Sequence, residues 1–296
     1  MLYIIYDTNE YLKIGGKKHQ SFDEIMSRVD DLRQCELQKF LQPIFNTTVA
    51  FELISHLLSH KTTIQNWYIR ACYALYYHCL VKNVVITKNP TFSYVEQLLS
   101  ESNKTQRTIG FLKELYENPS VNTIERNKEL IIEIKQYLHS VQSNWLKDLK
   151  DIRTKFHHKE DEKRRMRDFI NSADYPLWRA NAFLEGVLRV IPYKVDKVSI
   201  INNNTINDFI SQHPTYIEIW RRFDDTYMNG GYVLDDDKKA NTFWDAEICY
   251  FVGTTINDNI VCVASEEDMI HTAAKKANQG KLLFKKSQIL NSNNVN

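Results

Sequence analysis

Five acidic residues stand where a folded chain could bring them together. Each follows an apolar run that is typical of a buried strand, or lies near the start of a helix that would face the end of such a strand. These residues are Asp7, Glu52, Asp245, Glu266 and Asp268. Because the carboxyl ends of parallel strands meet at one edge of a sheet, where ligands bind, we expect these carboxylates to converge there.

Carboxylates that converge in this way repel one another and raise one another's pKa values, unless a cation neutralises them. Hard oxygen ligands in this number suit Mg²⁺ or Mn²⁺. A bound ion of this kind polarises a phosphodiester and lowers the pKa of a bound water. For any single acid, the alternative is a helix cap or a solvated helix end. The sequence therefore predicts a metal site that depends on the whole set.

Three polar residues next to these acids could orient metal ligands or waters: Thr8, Asn9 and Ser265. The alternative is that they are ordinary turn residues, since Thr, Asn and Ser all bond neighbouring backbone groups.

The elements that must position the acids begin with the strand pattern at residues 2–6, which lacks alternation and so predicts a strand covered on both faces. A helical pattern follows, with Ser21 as its N-cap. Pro43 then interrupts the chain before a short extended piece and a second helix, which carries Glu52. This order of strand, helix, strand and helix predicts an α/β fold, with a parallel sheet and flanking helices.

Long helical patterns without convincing strands occupy the middle of the chain, residues 61–194, and predict a mostly α-helical insertion domain. The α/β pattern resumes with helices on both sides of Pro214, a helix around TFWDAEI, a turn at Asn257-Asp258-Asn259 and the apolar strand NIVCVAS. We therefore predict a discontinuous α/β domain (1–60 and 195–290), a helical domain (61–194) and a disordered tail (291–296).

The ordered segments IIYDTN, VAFELISHL, FWDAEICYFV and IVCVASEEDM resemble the PIN-domain nucleases over about residues 1–60 and 195–290. The resemblance implies a small α/β sheet that gathers three or four acids around Mg²⁺ or Mn²⁺, and an endoribonuclease that leaves a 5′-phosphate end. Matched position by position, Asp7, Glu52 and Asp245 correspond to the first three family acids.

The fourth family acid corresponds to Glu266 or Asp268. The family usually has Thr or Ser followed by Asp after its fourth strand, whereas this chain has Ala264 and Ser265 before Glu266. This departure leaves the identity of the fourth ligand open.

The helical middle resembles a second class of nuclease. Arg153 and His158 have the Arg-x-x-x-x-His spacing of the HEPN ribonucleases, and WYIRACYALYYHCLVKN resembles an early HEPN helix. In such a metal-free site the histidine acts as acid or base and the arginine holds the phosphate. The alternatives are a HEPN-like domain without activity and an unrelated helical bundle.

A basic run follows this motif and could bind RNA through Lys159, Lys163, Arg164, Arg165 and Arg167. Acids interrupt the run, and a solvated helix face is the alternative. Over the whole chain, 38 Lys and Arg stand against 37 Asp and Glu, so affinity for nucleic acid must come from local patches.

Five cysteines without a Cys-x-x-Cys pair argue against a disulfide framework and a zinc ribbon, and favour a reducing compartment. No run of 18 apolar residues predicts a membrane span, and no leader is visible, so we expect a cytoplasmic protein that does not bind membranes.

The favoured function is a metal-dependent endoribonuclease. The alternatives are a metal-free ribonuclease that uses Arg153 and His158, and a catalytically silent RNA-binding or interaction module. The resemblances also imply a toxic or defence role. The expected partners are RNA, an inhibitor or antitoxin protein, and a second copy of the chain.

Overall fold

A small, mostly parallel sheet and many helices make up the computed structural model, which is a mixed α/β protein. The structure describes residues 1–16, 21–81, 85–87, 103–156, 160–190, 201–228 and 237–290. The predicted tail 291–296 and the segment KVDKVSII, read as a strand or an extended link, lie wholly or mostly outside these residues.

The strands are β1 (Leu2–Tyr6), β2 (Leu41–Pro43), β3 (Phe45–Asn46), β4 (Ile86–Thr87), β5 (Thr255–Ile256), β6 (Asn259–Ala264) and β7 (Leu283–Phe284). The helices of the first half are α1 (Thr8–Gly15), α2 (Phe22–Gln38), α3 (Thr47–Ser55), α4 (Thr62–Leu80), α5 (Asn103–Glu117), α6 (Val121–Arg126) and α7 (Lys128–Phe156). Those of the second half are α8 (Glu160–Ile170), α9 (Tyr175–Val190), α10 (Asn203–Gln212), α11 (Pro214–Met228), α12 (Asp237–Cys249), α13 (Asp268–Lys276) and α14 (Lys286–Leu290).

Strand β1 pairs in parallel with β2 on one side and with β6 on the other, and β7 pairs in parallel with β6. Residues Ile4 and Ile5 are fully buried, which confirms the prediction of a strand covered on both faces. Strand β5 joins β6 in an antiparallel hairpin, whose turn places Asn257 and Asp258 at positive φ. The Asn and Asp residues of this turn tolerate that conformation better than most, so the predicted turn is confirmed.

Several predicted element boundaries are confirmed by local chemistry. The Ser21 side chain accepts a hydrogen bond from the Glu24 backbone, and the Glu24 side chain accepts one from the Ser21 backbone. This capping box satisfies two backbone donors at the start of α2. Pro214 is the first residue of α11, where its missing N–H costs nothing.

The described residues of the middle segment form six helices and one short strand. That strand, β4, pairs in parallel with β3, and the helical pattern of this segment did not indicate it. Its two residues are too few to produce a recognisable pattern. Helix α4 also packs closely on α1, since a Cβ added at Gly15 would lie 2.9 Å from the Ala71 nitrogen. The first helix of the predicted insertion therefore covers the α/β part, and the division into two domains stays a prediction.

A buried polar network ties α2 and α4 to the start of the chain. The Tyr6 hydroxyl donates to Glu36 Oε1 at 2.5 Å, and His78 Nε2 lies 3.1 Å from the same oxygen. The Tyr11 hydroxyl lies 3.1 Å from both His78 Nδ1 and Cys79 Sγ. Burial lowers the pKa of His78, but the Glu36 carboxylate and the Cys79 side chain together more than offset this and raise it to about 9. At neutral pH, His78 is therefore a cation paired with Glu36.

This pair predicts a loss of stability in mild alkali. Because the pKa of His78 is higher in the folded than in the unfolded chain, its contribution is full below about pH 6.5 and is lost as the pH rises towards 9. We expect the free energy of unfolding in urea to fall by roughly 3 kcal/mol across this window, at about 1.4 kcal/mol per unit. His78→Gln should flatten the dependence, whereas the exposed control His60→Gln should not. An unchanged slope in His78→Gln would contradict this assignment.

Candidate functional site

The ends of β1 and β6 place Asp7 beside Ser265. Tyr6 and Ala264 are paired in register, so the two strands end together. The Asp7 backbone nitrogen donates to the Ala264 carbonyl at 3.0 Å, and Ser265 Oγ donates to Asp7 Oδ2 at 3.1 Å. Both side chains are buried. Asp7 occupies the N-cap position of α1, but its side chain makes no capping hydrogen bond, so capping does not explain why this acid is buried.

Helix α3 brings Glu52 to the same edge. The Asn46 side chain accepts from the Val49 nitrogen at 3.2 Å and donates to Thr87 Oγ1 at 2.9 Å, so it both caps α3 and ties the helix to β4. Thr8 Oγ1 then donates to Glu52 Oε2 at 2.6 Å. The residue that follows Asp7 thus holds the second acid.

Asp245 comes from α12, which packs against α3 and α13. Burial raises the pKa of Asp245 well above its usual value, and the negative charges of Asp7, Glu52 and Glu267 raise it further. The thiol of Cys249, one helical turn later, has its pKa raised by burial and then by the charges of Asp245 and Asp7. The third predicted acid therefore lies within the electrostatic field of the first two.

The other two carboxyl groups are also harder to ionise than usual. Burial raises the pKa of Asp7 to about 6; the Ser265 hydrogen bond opposes this rise, while the charges of Glu267 and Glu10 add to it. Burial raises the pKa of Glu52 to about 7, with the Thr8 hydrogen bond opposing and Asp7 adding to the rise. Such shifts in a group of neighbouring acids are typical of functional sites.

The fourth acid in this field is Glu267, which is not among the five acids predicted from the sequence. Its side chain accepts from Asn9 Nδ2 at 3.2 Å, and its backbone nitrogen donates to Ser265 Oγ at 3.1 Å. Its charge raises the pKa values of both Asp7 and Asp245. The sequence offers three consecutive acids here, and only the register at which α13 begins decides which of them faces Asp7.

The two acids predicted for the fourth position make other contacts. Glu266 Oε1 accepts from the Lys286 backbone nitrogen at 3.2 Å. Asp268 has a side chain that is 93% exposed, and Lys285 Nζ lies 3.4 Å from its Oδ1. The charges of Asp7 and Glu52 therefore act on Asp245, whereas the side chain of Asp268 is directed to solvent.

The four acids influence one another's ionisation, but their carboxylate groups do not form a compact cluster of metal ligands. Among the residues that the structure describes, no group of three or more His, Cys, Asp or Glu side chains is arranged closely enough to hold a metal ion. The expectation that carboxylates from all four segments lie in one metal site stays a prediction.

The residues of the predicted metal-free HEPN-like site lie largely outside the part of the chain that the structure describes. His158 and Lys159 are not among the described residues, and the side chain of Arg153, in α7, is not described either. Within α8, Arg164 and Arg165 are exposed and Lys163 and Arg167 are partly buried. The HEPN-like motif therefore stays a prediction.

Comparisons with models of protein families, with curated proteins and with solved structures found no match. Within the described ranges, every helix is too short or too polar to cross a membrane.

The raised pKa of Asp7 predicts that this acid destabilises the fold above its folded pKa. An acid with a raised folded pKa contributes stability only at low pH, and this contribution is lost as the pH rises from about 4 to about 6. Asn cannot ionise, so Asp7→Asn should gain on the parent across this window, by at most about 3 kcal/mol at 1.4 kcal/mol per unit. Thermal melts in EDTA at pH 4 and pH 8 measure the gain. The exposed control Asp268→Asn should show none, and a loss in Asp7→Asn at pH 8 relative to pH 4 would refute the prediction.

Proposed function

We propose that this chain is a metal-dependent endoribonuclease that hydrolyses RNA phosphodiester bonds at the carboxyl edge of the sheet. One observation carries the proposal: Asp7, Glu52 and Asp245 come from distant parts of the chain, the charge of Asp7 raises the pKa of Glu52, and the charges of both raise the pKa of Asp245. Buried charges of one sign are costly, and a divalent cation is the ordinary means of retaining them. The PIN-like order of the motifs supports the same reading.

The donor set fits Mg²⁺ or Mn²⁺ by its chemistry, because all of its members are hard carboxylate oxygens. Asp7, Glu52 and Asp245 would hold the ion, with Glu267 as the fourth acid. The bound ion supplies Lewis acidity towards a phosphodiester oxygen and a lowered pKa for a bound water.

The chain's own residues prepare these ligands. Ser265 and Thr8 each donate a hydroxyl to one carboxylate, which fixes its orientation and favours its ionised form. Asn9 does the same for Glu267.

Because the carboxyl groups of Asp7 and Glu52 hold their protons up to about pH 6 and 7, metal binding must release those protons. Metal affinity should therefore rise with pH through this range.

Loss of one ligand tests the proposal. Asp7→Asn and Asp245→Asn keep the shape of the side chain but remove a charge, so RNA cleavage in Mn²⁺ should fall by two or more orders of magnitude. The rise in melting temperature on adding Mn²⁺ should shrink in both variants, because this stabilisation depends on affinity. The assay uses total RNA with Mn²⁺, Mg²⁺ or EDTA.

The metal-free alternative supplies the matched control. Arg153→Ala and His158→Ala should leave the stabilisation by Mn²⁺ intact. Cleavage in EDTA by Asp7→Asn, together with no cleavage by His158→Ala, would replace this proposal with the HEPN-type mechanism. No cleavage by the parent under any condition would favour a silent RNA-binding or interaction module. The toxic or defence role, the inhibitor or antitoxin partner, the second copy of the chain and the cytoplasmic location remain implications of the sequence.

The fourth ligand gives a sharper prediction. We expect Glu267→Gln to weaken Mn²⁺ binding about tenfold or more, whereas Glu266→Gln and Asp268→Asn should change it less than twofold. The reason is that, of these three consecutive acids, Glu267 is the one whose charge raises the pKa of both Asp7 and Asp245. Titration calorimetry with MnCl₂ measures the affinity directly. Equal effects of all three substitutions would show that the site does not distinguish among these acids.

A further inference from the structure

Three cationic side chains lie on α1, on α2, which packs against α1, and on α14, which packs against α2. Lys13 Nζ lies 2.7 Å from Glu10 Oε1. Arg28, on α2, donates from Nη1 to the carbonyl of Ile14 at 3.5 Å, which places its guanidinium beside the residue that follows Lys13. Lys286 begins α14, which packs against α2. We call Lys13, Arg28 and Lys286 the cation cluster.

Two members of the cation cluster, Arg28 and Lys286, have side chains without a carboxylate partner among the described residues. In the described part of the chain, the half-buried ammonium of Lys286 has no hydrogen bond or ion pair, and the exposed Arg28 has no carboxylate partner. Glu10 is fully buried, and only its Oε1 is bonded, to Lys13. Burial lowers the pKa of Lys286; Glu10 and Glu266 oppose this, while Lys13 and Arg28 lower it further. An anion placed among these cations would relieve their repulsion.

This cluster adjoins the candidate site through two acids. Glu10 lies one helical turn after Asp7 and its charge raises the pKa of Asp7. Glu266, whose charge raises the pKa of Lys286, lies between Ser265 and Glu267 in the chain. A polyanion bound at the cation cluster would therefore extend directly to the carboxylates.

We propose that Lys13, Arg28 and Lys286 bind backbone phosphates of single-stranded RNA and guide the strand to the carboxylates. This inference rests on the proposed function. It identifies the surface along which the RNA substrate would reach the carboxylates. It assigns the phosphate contacts to this surface rather than to the basic run of α8. Two arginines of that run, Arg164 and Arg165, are exposed and make a matched control pair, since their loss removes the same charge.

The test measures binding without cleavage. A 5′-fluorescein-labelled, uridine-rich RNA of about 12 nucleotides is titrated with the full chain in EDTA, and anisotropy is followed from 50 to 200 mM KCl. We expect Arg28→Gln with Lys286→Gln to weaken binding about tenfold at 50 mM. The slope of log Kd against log salt should shrink by about 1.4, or 0.7 for each lost contact with a single strand. Arg164→Gln with Arg165→Gln should leave both quantities close to those of the parent.

Folding is controlled separately. Arg28 is exposed, so Arg28→Gln alone should fold normally and still weaken binding about threefold. The conservative pair Arg28→Lys with Lys286→Arg should restore most of the affinity, because phosphate contacts need the charge. Parental affinity in the Gln pair, a loss confined to the α8 pair, or no RNA binding by the parent would each overturn the proposal.

Failure of this inference is distinguishable from failure of the proposed function. Metal-dependent cleavage that survives in the Gln pair at parental kcat/KM would defeat the phosphate path and leave the nuclease proposal standing. RNA binding that needs Arg28 and Lys286, from a chain that cleaves nothing in Mn²⁺, would keep the phosphate site and defeat the nuclease proposal.

Discussion

The parallel pairing of β1 with β6 is the interaction on which the rest of the structure depends. It joins the first strand to one near the other end of the chain, so that Ser265 bonds to Asp7 across 258 positions. A contact of this sequence separation is costly in chain entropy, and burial of the apolar strand residues must offset that cost. Once the pair forms, β2 and β7 extend the sheet on either side, and the acids that follow β1 and β6 become neighbours.

The sequence predicts those parts of the fold whose signals are local. Uninterrupted apolar runs identify β1 and β6, Ser21 as N-cap identifies the start of α2, and Pro214 separates the helices α10 and α11. Each of these depends on residues within a few positions of one another, where propensity and capping act. The three acids from separate segments could be chosen because their positions at the ends of elements follow from the same local patterns.

What the sequence does not predict depends on register and on packing. Glu267 was missed because a shift of one residue in the start of α13 changes which of three adjacent acids faces Asp7. The network of Tyr6, Glu36 and His78 was missed because its members are 30 and 42 positions apart and meet only when α2 and α4 pack on the sheet. No periodicity in the sequence predicts contacts between such distant side chains, since each residue alone is compatible with a buried or an exposed helix face.

Buried acids occur in two different electrostatic environments in this chain. Glu36 accepts from the Tyr6 hydroxyl and is paired with the His78 cation, so its charge is balanced inside the protein. Asp7 and Glu52 accept one hydroxyl each from Ser265 and Thr8, and their neighbours in the field are further acids. A chain that can neutralise one buried carboxylate through a histidine could do the same for others by ordinary substitution. That it keeps acids within one another's electrostatic field at the carboxyl edge of the sheet favours a role in which the balancing charge comes from outside the protein.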